Sequence, residues 1–247
     1  MDKIYIDINC DVGEGVGNEA DIFPLISSCS IACGGHAGDT KSMTKMVELA
    51  QQYKVKIGAH PSYPDKLNFG RVSMKMDAKE LADSIQTQIE SLKSISERMG
   101  VRLHHIKPHG ALYNDIAKDE KLGIIFLEAI TKYKSDLFLY VPPGSVIEEL
   151  AHKNGFKVKL EAFGDRNYTT DLELVSRKHP DALITAPEAV LNHLLEIIKR
   201  GRVRTVTGDL RNLMADTYCI HGDTRNALQI LTYLSLELPN HKIYINK

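Results

Sequence analysis

Leu103-His104-His105-Ile106-Lys107 is the stretch whose reading decides the fold. Strand alternation puts His105 and Lys107 on one face and Ile106 on the other. If that face lines the lumen of a barrel, Lys107 is a positive charge in a confined space. Such a lysine must meet an anion or lose its proton. The other reading is a lysine that snorkels from the strand end into water.

Outward from this stretch, short apolar runs alternate with longer helical patterns. Strands are predicted at 3–8, 29–33, 55–59, 103–107, 137–141 and 157–161, with weaker ones at 182–185 and 203–208 and a last short run at 217–220. Helices are predicted at 40–53, 77–99, 120–134, 145–154, 187–200 and 224–238. Asp39 reads as an N-cap, Asp77 with Glu80 as a capping box, and Pro187 as a first-turn residue. Leu81, Ile85, Ile89 and Leu92 keep a helical period, and Gly100 ends that helix. Strand followed by helix throughout implies an α/β fold with a parallel sheet. About seven units without a linker favour a single domain over 1–247, an irregular (β/α) barrel of about seven parallel strands. A doubly wound open sheet is the alternative.

Of 247 residues, 43% are hydrophobic, enough for one sizeable core, and the formal charge of −1 gives no general attraction for nucleic acid. No apolar run reaches membrane-spanning length and the N-terminus lacks a signal pattern, so no membrane partner and a cytoplasmic location are expected. Cys10, Cys29, Cys33 and Cys219 read as reduced thiols near strand ends. Gly13-Glu14-Gly15-Val16-Gly17 misses the dinucleotide fingerprint because its third glycine comes one residue early; it reads as a flexible loop. There is no Walker A sequence and no G-x-S-x-G elbow.

Polar residues gather just after the strands: Asn9, Asp11 and Glu14; His36 and Asp39; His60 and Asp65; Lys107, His109 and Asn114; Glu161, Asp165 and Arg166; His221 and Asp223. In either α/β architecture these ends share one face, the face that carries the active site. Asp39 and Asp223 also suit helix caps. The proline after His60 biases it towards extended geometry.

Seven segments in order resemble the LamB/YcsF family of 5-oxoprolinase A subunits. They are Asp7-Ile8-Asn9-Cys10-Asp11-Val12-Gly13-Glu14, Ile31-Ala32-Cys33-Gly34-Gly35-His36-Ala37-Gly38-Asp39, Gly58-Ala59-His60-Pro61-Ser62-Tyr63-Pro64-Asp65, Phe69-Gly70-Arg71, Lys107-Pro108-His109-Gly110-Ala111-Leu112-Tyr113-Asn114, Glu161-Ala162-Phe163-Gly164-Asp165-Arg166 and Cys219-Ile220-His221-Gly222-Asp223-Thr224. Ser30, Gly35, Val72 and Gly164 depart from the family's usual Asn, bulky residue, Arg and Ala. The resemblance implies a barrel of the glycoside hydrolase/deacetylase kind. It also implies opening of the 5-oxo-L-proline lactam to L-glutamate, coupled to ATP hydrolysis, with partner subunits B and C. ATP then acts through the complex, since this chain has no kinase motif.

On that reading Asp11 or Glu14 is the general base. His36, His60 and Asp11 hold a divalent metal ion. Lys107 holds a developing oxyanion or phosphate and His109 moves protons. Arg71 and Arg166 bind the substrate carboxylate. Asn114, His221 and Asp223 complete the substrate site. Two rival classes are a stand-alone metal-dependent deacetylase or carbohydrate-active hydrolase, and a non-catalytic subunit that presents the substrate.

Overall fold

A computed structural model describes residues 3–247. Its first strand, β1 (Ile4–Val12), sets the pattern for the rest. Ile6, Ile8, Cys10 and Val12 alternate with Asp7, Asn9 and Asp11, and all seven are buried. Because side chains alternate along a strand, the apolar set faces the surrounding helices and the polar set faces the lumen.

The remaining strands are β2 (Ser28–Ala32), β3 (Lys56–His60), β4 (Leu103–Ile106), β5 (Phe138–Val141), β6 (Lys157–Phe163), β7 (Arg202–Arg204), β8 (Leu210–Asn212), β9 (Thr217–Cys219) and β10 (Ile243–Ile245). β1 to β6 pair in sequence, all parallel, and β9 pairs with both β6 and β1. That double pairing closes a seven-stranded barrel. β10 adds to the first three residues of β1.

Two weak strand expectations fail. Residues 182–185 form no barrel strand, because Asn167 N bonds Ala182 O and Ile184 N bonds Asp165 O, tying them to the turn after β6. Val203 lies in β7, which forms an antiparallel hairpin with β8 in a separate sheet. β8 is wholly exposed, a pattern no buried parallel strand shows.

Among the described residues, eight α-helices connect the strands: α1 (Glu19–Ile22), α2 (Thr40–Tyr53), α3 (Ala78–Arg98), α4 (Gly110–Ile116), α5 (Glu120–Ile130), α6 (Val146–Lys153), α7 (Pro187–Arg200) and α8 (Ala227–Glu237). Asp39 caps α2 in a reciprocal box with Ser42. Asp77 caps α3 through Lys79 N, but Glu80 makes no return bond. Leu81, Ile85, Ile89 and Leu92 of α3 are buried, each contributing about 1.5–3 kcal/mol of apolar burial. α8 starts three residues later than expected, from Asn226 in the left-handed conformation. Asp223 does not cap it, because its carboxylate is engaged by Arg71 and Arg177. None of the described helices is long and apolar enough to cross a membrane. All four cysteines are free and buried.

The lumen is filled by polar side chains in layers. Lowest, Asp7 Oδ1 accepts from Ser28 (2.7 Å) and Thr217 (2.7 Å). Next, His105 lies 3.2 Å from Ser30 and stacks on Tyr140 at 4.0 Å. Gly58 makes room for that ring: a Cβ there would stand 2.2 Å from His105 Nε2. Burial holds His105 neutral, well below its ordinary pKa. Above these layers, at the C-terminal strand ends, lie Lys107 and the remaining histidines.

Candidate active site

Lys107 follows β4 and is 2% exposed, so it meets its anions inside the barrel. Nζ donates to Asp11 Oδ1 (2.9 Å) and Asn9 Oδ1 (3.2 Å), and lies 2.8 Å from Glu161 Oε1. Burial opposes its charge, but Asp11, Cys219 and Glu161 raise its pKa well above the ordinary value. Burial likewise opposes ionisation of Asp11, yet His60 and Lys107 hold its carboxyl well below the usual range. An ammonium has three donors, and here Asp11 Oδ1, Asn9 Oδ1 and Cys219 Sγ accept them, with Glu161 Oε1 paired alongside. Lys107 is therefore not free to grip a developing oxyanion or phosphate. It fixes Asp11 and Glu161.

The histidines stand beside this group. His60 ends β3 and its Nδ1 donates to Lys107 O (2.7 Å). His109 precedes α4 and its Nε2 donates to Phe69 O (2.9 Å). Both outer nitrogens thus carry hydrogen, since a carbonyl can only accept. The inner nitrogens, His60 Nε2 and His109 Nδ1, face each other at 3.0 Å. Two lone pairs at that distance repel unless a proton or a metal ion lies between them.

His36 stacks on His109 at 3.6 Å, and its Nε2 lies 3.0 Å from Glu14 Oε1. The same Glu14 oxygen is 3.4 Å from His109 Nδ1 and 3.8 Å from His60 Nε2. Burial lowers the pKa of His36, and burial with His36 and His60 lowers that of His109. For His60, burial also lowers, but the Asp11 carboxylate 3.5 Å away more than offsets it and the net shift is upward.

Charge makes the same point. The Lys107 ammonium faces two carboxylates, Asp11 and Glu161, and Glu14 faces the three histidines. A divalent cation among the histidines would offset that excess of carboxylate groups. Glu14, His36, His60 and His109 offer three imidazole nitrogens and one carboxylate oxygen within 4.8 Å of one another. That set suits zinc and its neighbours better than magnesium or calcium. The expected set of His36, His60 and Asp11 changes accordingly: Glu14 replaces Asp11, which Lys107 holds. A second group, Asp11, Cys219 and His221, does not suit a cation. Lys107 Nζ already stands there, 3.2 Å from Cys219 Sγ, and burial keeps that thiol protonated.

On the other side of the mouth, His221 Nδ1 is 3.0 Å from Asp165 Oδ1, and Asp165 Oδ2 accepts from His221 N and Thr224. Burial disfavours the Asp165 charge, but His221 and Thr224 hold its carboxyl below the usual value. The dyad fixes the His221 tautomer with its hydrogen on Nδ1. Its ring stacks on Phe163 (5.2 Å), which in turn packs edge-on against Tyr113.

Two expected substrate residues lie elsewhere. Asn114 is exposed, because α4 turns it outward and its amide returns to Gly110 O. Arg166 donates to Val175 O (2.6 Å) and Ala182 O (3.3 Å), so it staples the loop after β6. Arg71 and Asp223 do meet, in an ion pair joining the loops after β3 and β9. Of the departures, Ser30 contacts His105, and Gly35 leaves space that Gln88 fills, with Gln88 bonding the Ser62 backbone in both directions. Val72 is half exposed.

The LamB/YcsF family profile matches residues 6–247. The 5-oxoprolinase A subunit of Tolumonas auensis is 41% identical over 232 residues, 92% of each chain. That of Chloroflexus aurantiacus is 44% identical over 91% of this chain and 90% of that protein. The crystal structure of a lactam utilization protein from Thermus thermophilus superposes with a TM-score of 0.90 at 35% identity, covering 98% of this chain and 99% of that one. The chain belongs to the LamB/YcsF family.

Proposed function

We propose that this chain is the A subunit of an ATP-dependent 5-oxoprolinase, a hydrolase that opens the lactam of 5-oxo-L-proline to L-glutamate with partner subunits B and C. The observation that carries this reading is end-to-end similarity, at 36–44% identity, to proteins named as 5-oxoprolinase A subunits. The buried centre suits such chemistry, and the chain has no phosphate-binding loop of its own. ATP therefore acts in the partners, which phosphorylate the lactam oxygen.

The chemistry then divides among this chain's residues. Water adds to the activated ring carbon and gives up a proton to Asp11. Loss of phosphate from that adduct would only return the lactam. Productive collapse breaks the C–N bond, and the leaving nitrogen needs a proton. His221 in its imidazolium form, held by Asp165, supplies it from Nε2 and is left as neutral imidazole, a task that His109, with both nitrogens engaged, no longer fits. A second water cleaves the resulting acyl phosphate to glutamate and phosphate. A zinc-class cation, when held by Glu14, His36, His60 and His109, supplies Lewis-acid polarisation of the attacked group.

Glutamate formation from 5-oxo-L-proline tests this reading, with the chain alone and with B and C subunits and ATP. Glutamate only in the complete mixture is expected. ATP-independent deacetylation of acetylated sugars by the chain alone, with no glutamate in any mixture, would support the stand-alone hydrolase instead.

A further inference from the structure

Arg177 carries no role in the reaction so far, and nothing in its sequence surroundings singles it out. It lies in the long loop after β6, with its side chain 27% exposed. Its Nη1 is 3.5 Å from Asp223 Oδ2, the same oxygen that Arg71 Nη2 engages. Two guanidinium groups thus converge on one carboxylate oxygen and leave a net positive charge. Among the described residues each makes a single side-chain hydrogen bond, to that oxygen, so most of its N–H donors stay open. The other carboxylate oxygen, Asp223 Oδ1, is buried and has no partner.

The group stands close to the chemistry. Arg71 lies over the Phe69 ring at 4.7 Å, and that ring packs edge-on against His36 (5.2 Å) and His109 (5.4 Å). Asp223 follows His221 by two residues. Burial alone would favour protonation of Asp223, but Arg177, His221 and Arg71 keep its carboxyl ionised. A cationic fork and a bare anionic acceptor are therefore held side by side at the barrel mouth.

We propose that Arg71, Arg177 and Asp223 form a recognition seat for a carboxylate that carries an N–H on the adjacent carbon. The carboxylate takes the open donors of Arg71 and Arg177, and Asp223 Oδ1 accepts the N–H. This inference rests on the lactam-acid reading, since 5-oxo-L-proline has both groups on neighbouring ring atoms. Arg177 takes the place expected of Arg166, whose donors serve backbone carbonyls. Asp223 orders the two arginines before substrate arrives, which lowers the entropic cost of binding.

The test is equilibrium binding to the full chain by calorimetry, with 5-oxo-L-proline and with 2-pyrrolidinone, the same lactam without its carboxylate. Wild type is expected to prefer 5-oxo-L-proline. Arg177→Gln is expected to weaken 5-oxo-L-proline about 10- to 100-fold, the range for a charged hydrogen bond, and to leave 2-pyrrolidinone unchanged. Arg177→Lys, which keeps the charge without the fork, falls between. A melting temperature close to wild type shows that Arg177→Gln is folded. Wild-type affinity for 5-oxo-L-proline in Arg177→Gln overturns the seat and leaves the lactam reading intact. If wild type forms the complex with its partners yet makes no glutamate and binds neither ligand, both fall.

Discussion

Replacing Lys107 with Met is expected to abolish glutamate formation and to destabilise the fold by roughly 3–5 kcal/mol, the cost of breaking a buried ion pair from one side. The ammonium is 2.9 Å from Asp11 Oδ1 and 2.8 Å from Glu161 Oε1, and all three side chains are buried. Without it, two buried carboxylates face each other with no ammonium between them. The chain would respond by protonating one of them, and protonated Asp11 cannot take a proton from water. Adding Glu161→Gln removes one of the stranded charges and should recover part of the stability without restoring turnover. Urea denaturation of the single and double variants measures the first effect, and glutamate release by the complete complex measures the second. Full activity in Lys107→Met would show that Asp11 does not depend on its cation.

The purified chain is expected to carry about one equivalent of a zinc-class metal per protein, measured by plasma mass spectrometry, as a site of three nitrogens and one carboxylate would. His60→Gln and His109→Gln should each lose that metal and most of the turnover. The reason lies in the second hydrogen bond of each ring, to Lys107 O and Phe69 O, which aims two lone pairs at one point. Such outer-shell bonds fix ligand orientation in metal sites generally. A metal-free wild type that is fully active and indifferent to chelators would mean that a shared proton, held on His60, joins the rings instead.

The barrel was legible because its strands alternate so plainly. Lys107 read as a lumen charge from five residues, and the structure gives it Asp11 and Glu161 as counter-charges. The closing strand was harder: 203–208 and 217–220 are both short, and pairing partners tell the outer hairpin from the barrel strand. Convergence of Asp11, Glu14, His36, His60 and His109 followed from their strand-end positions. That Glu14 meets all three histidines while Asp11 pairs with His60 alone did not, because that depends on the turn at Gly13, with its φ of +75°. Asn114 looked like a site residue by its nearness to His109 in sequence, yet α4 begins between them and rotates it away. Arg166 stands out by its place after β6 and Arg177 does not, and only the carbonyls at 175 and 182 show that Arg166 is tied down.

Division of labour between this chain and its partners is the central claim, and Asp11→Asn tests it most directly. The complex assembled with this variant should be assayed for ATP hydrolysis and glutamate in one reaction. If the partners phosphorylate the lactam and Asp11 serves its hydrolysis, as proposed, ATP hydrolysis persists while glutamate falls at least ~100-fold, as loss of a general base requires. Glutamate formed at the wild-type rate would contradict it and show that Asp11 does not carry the hydrolytic step.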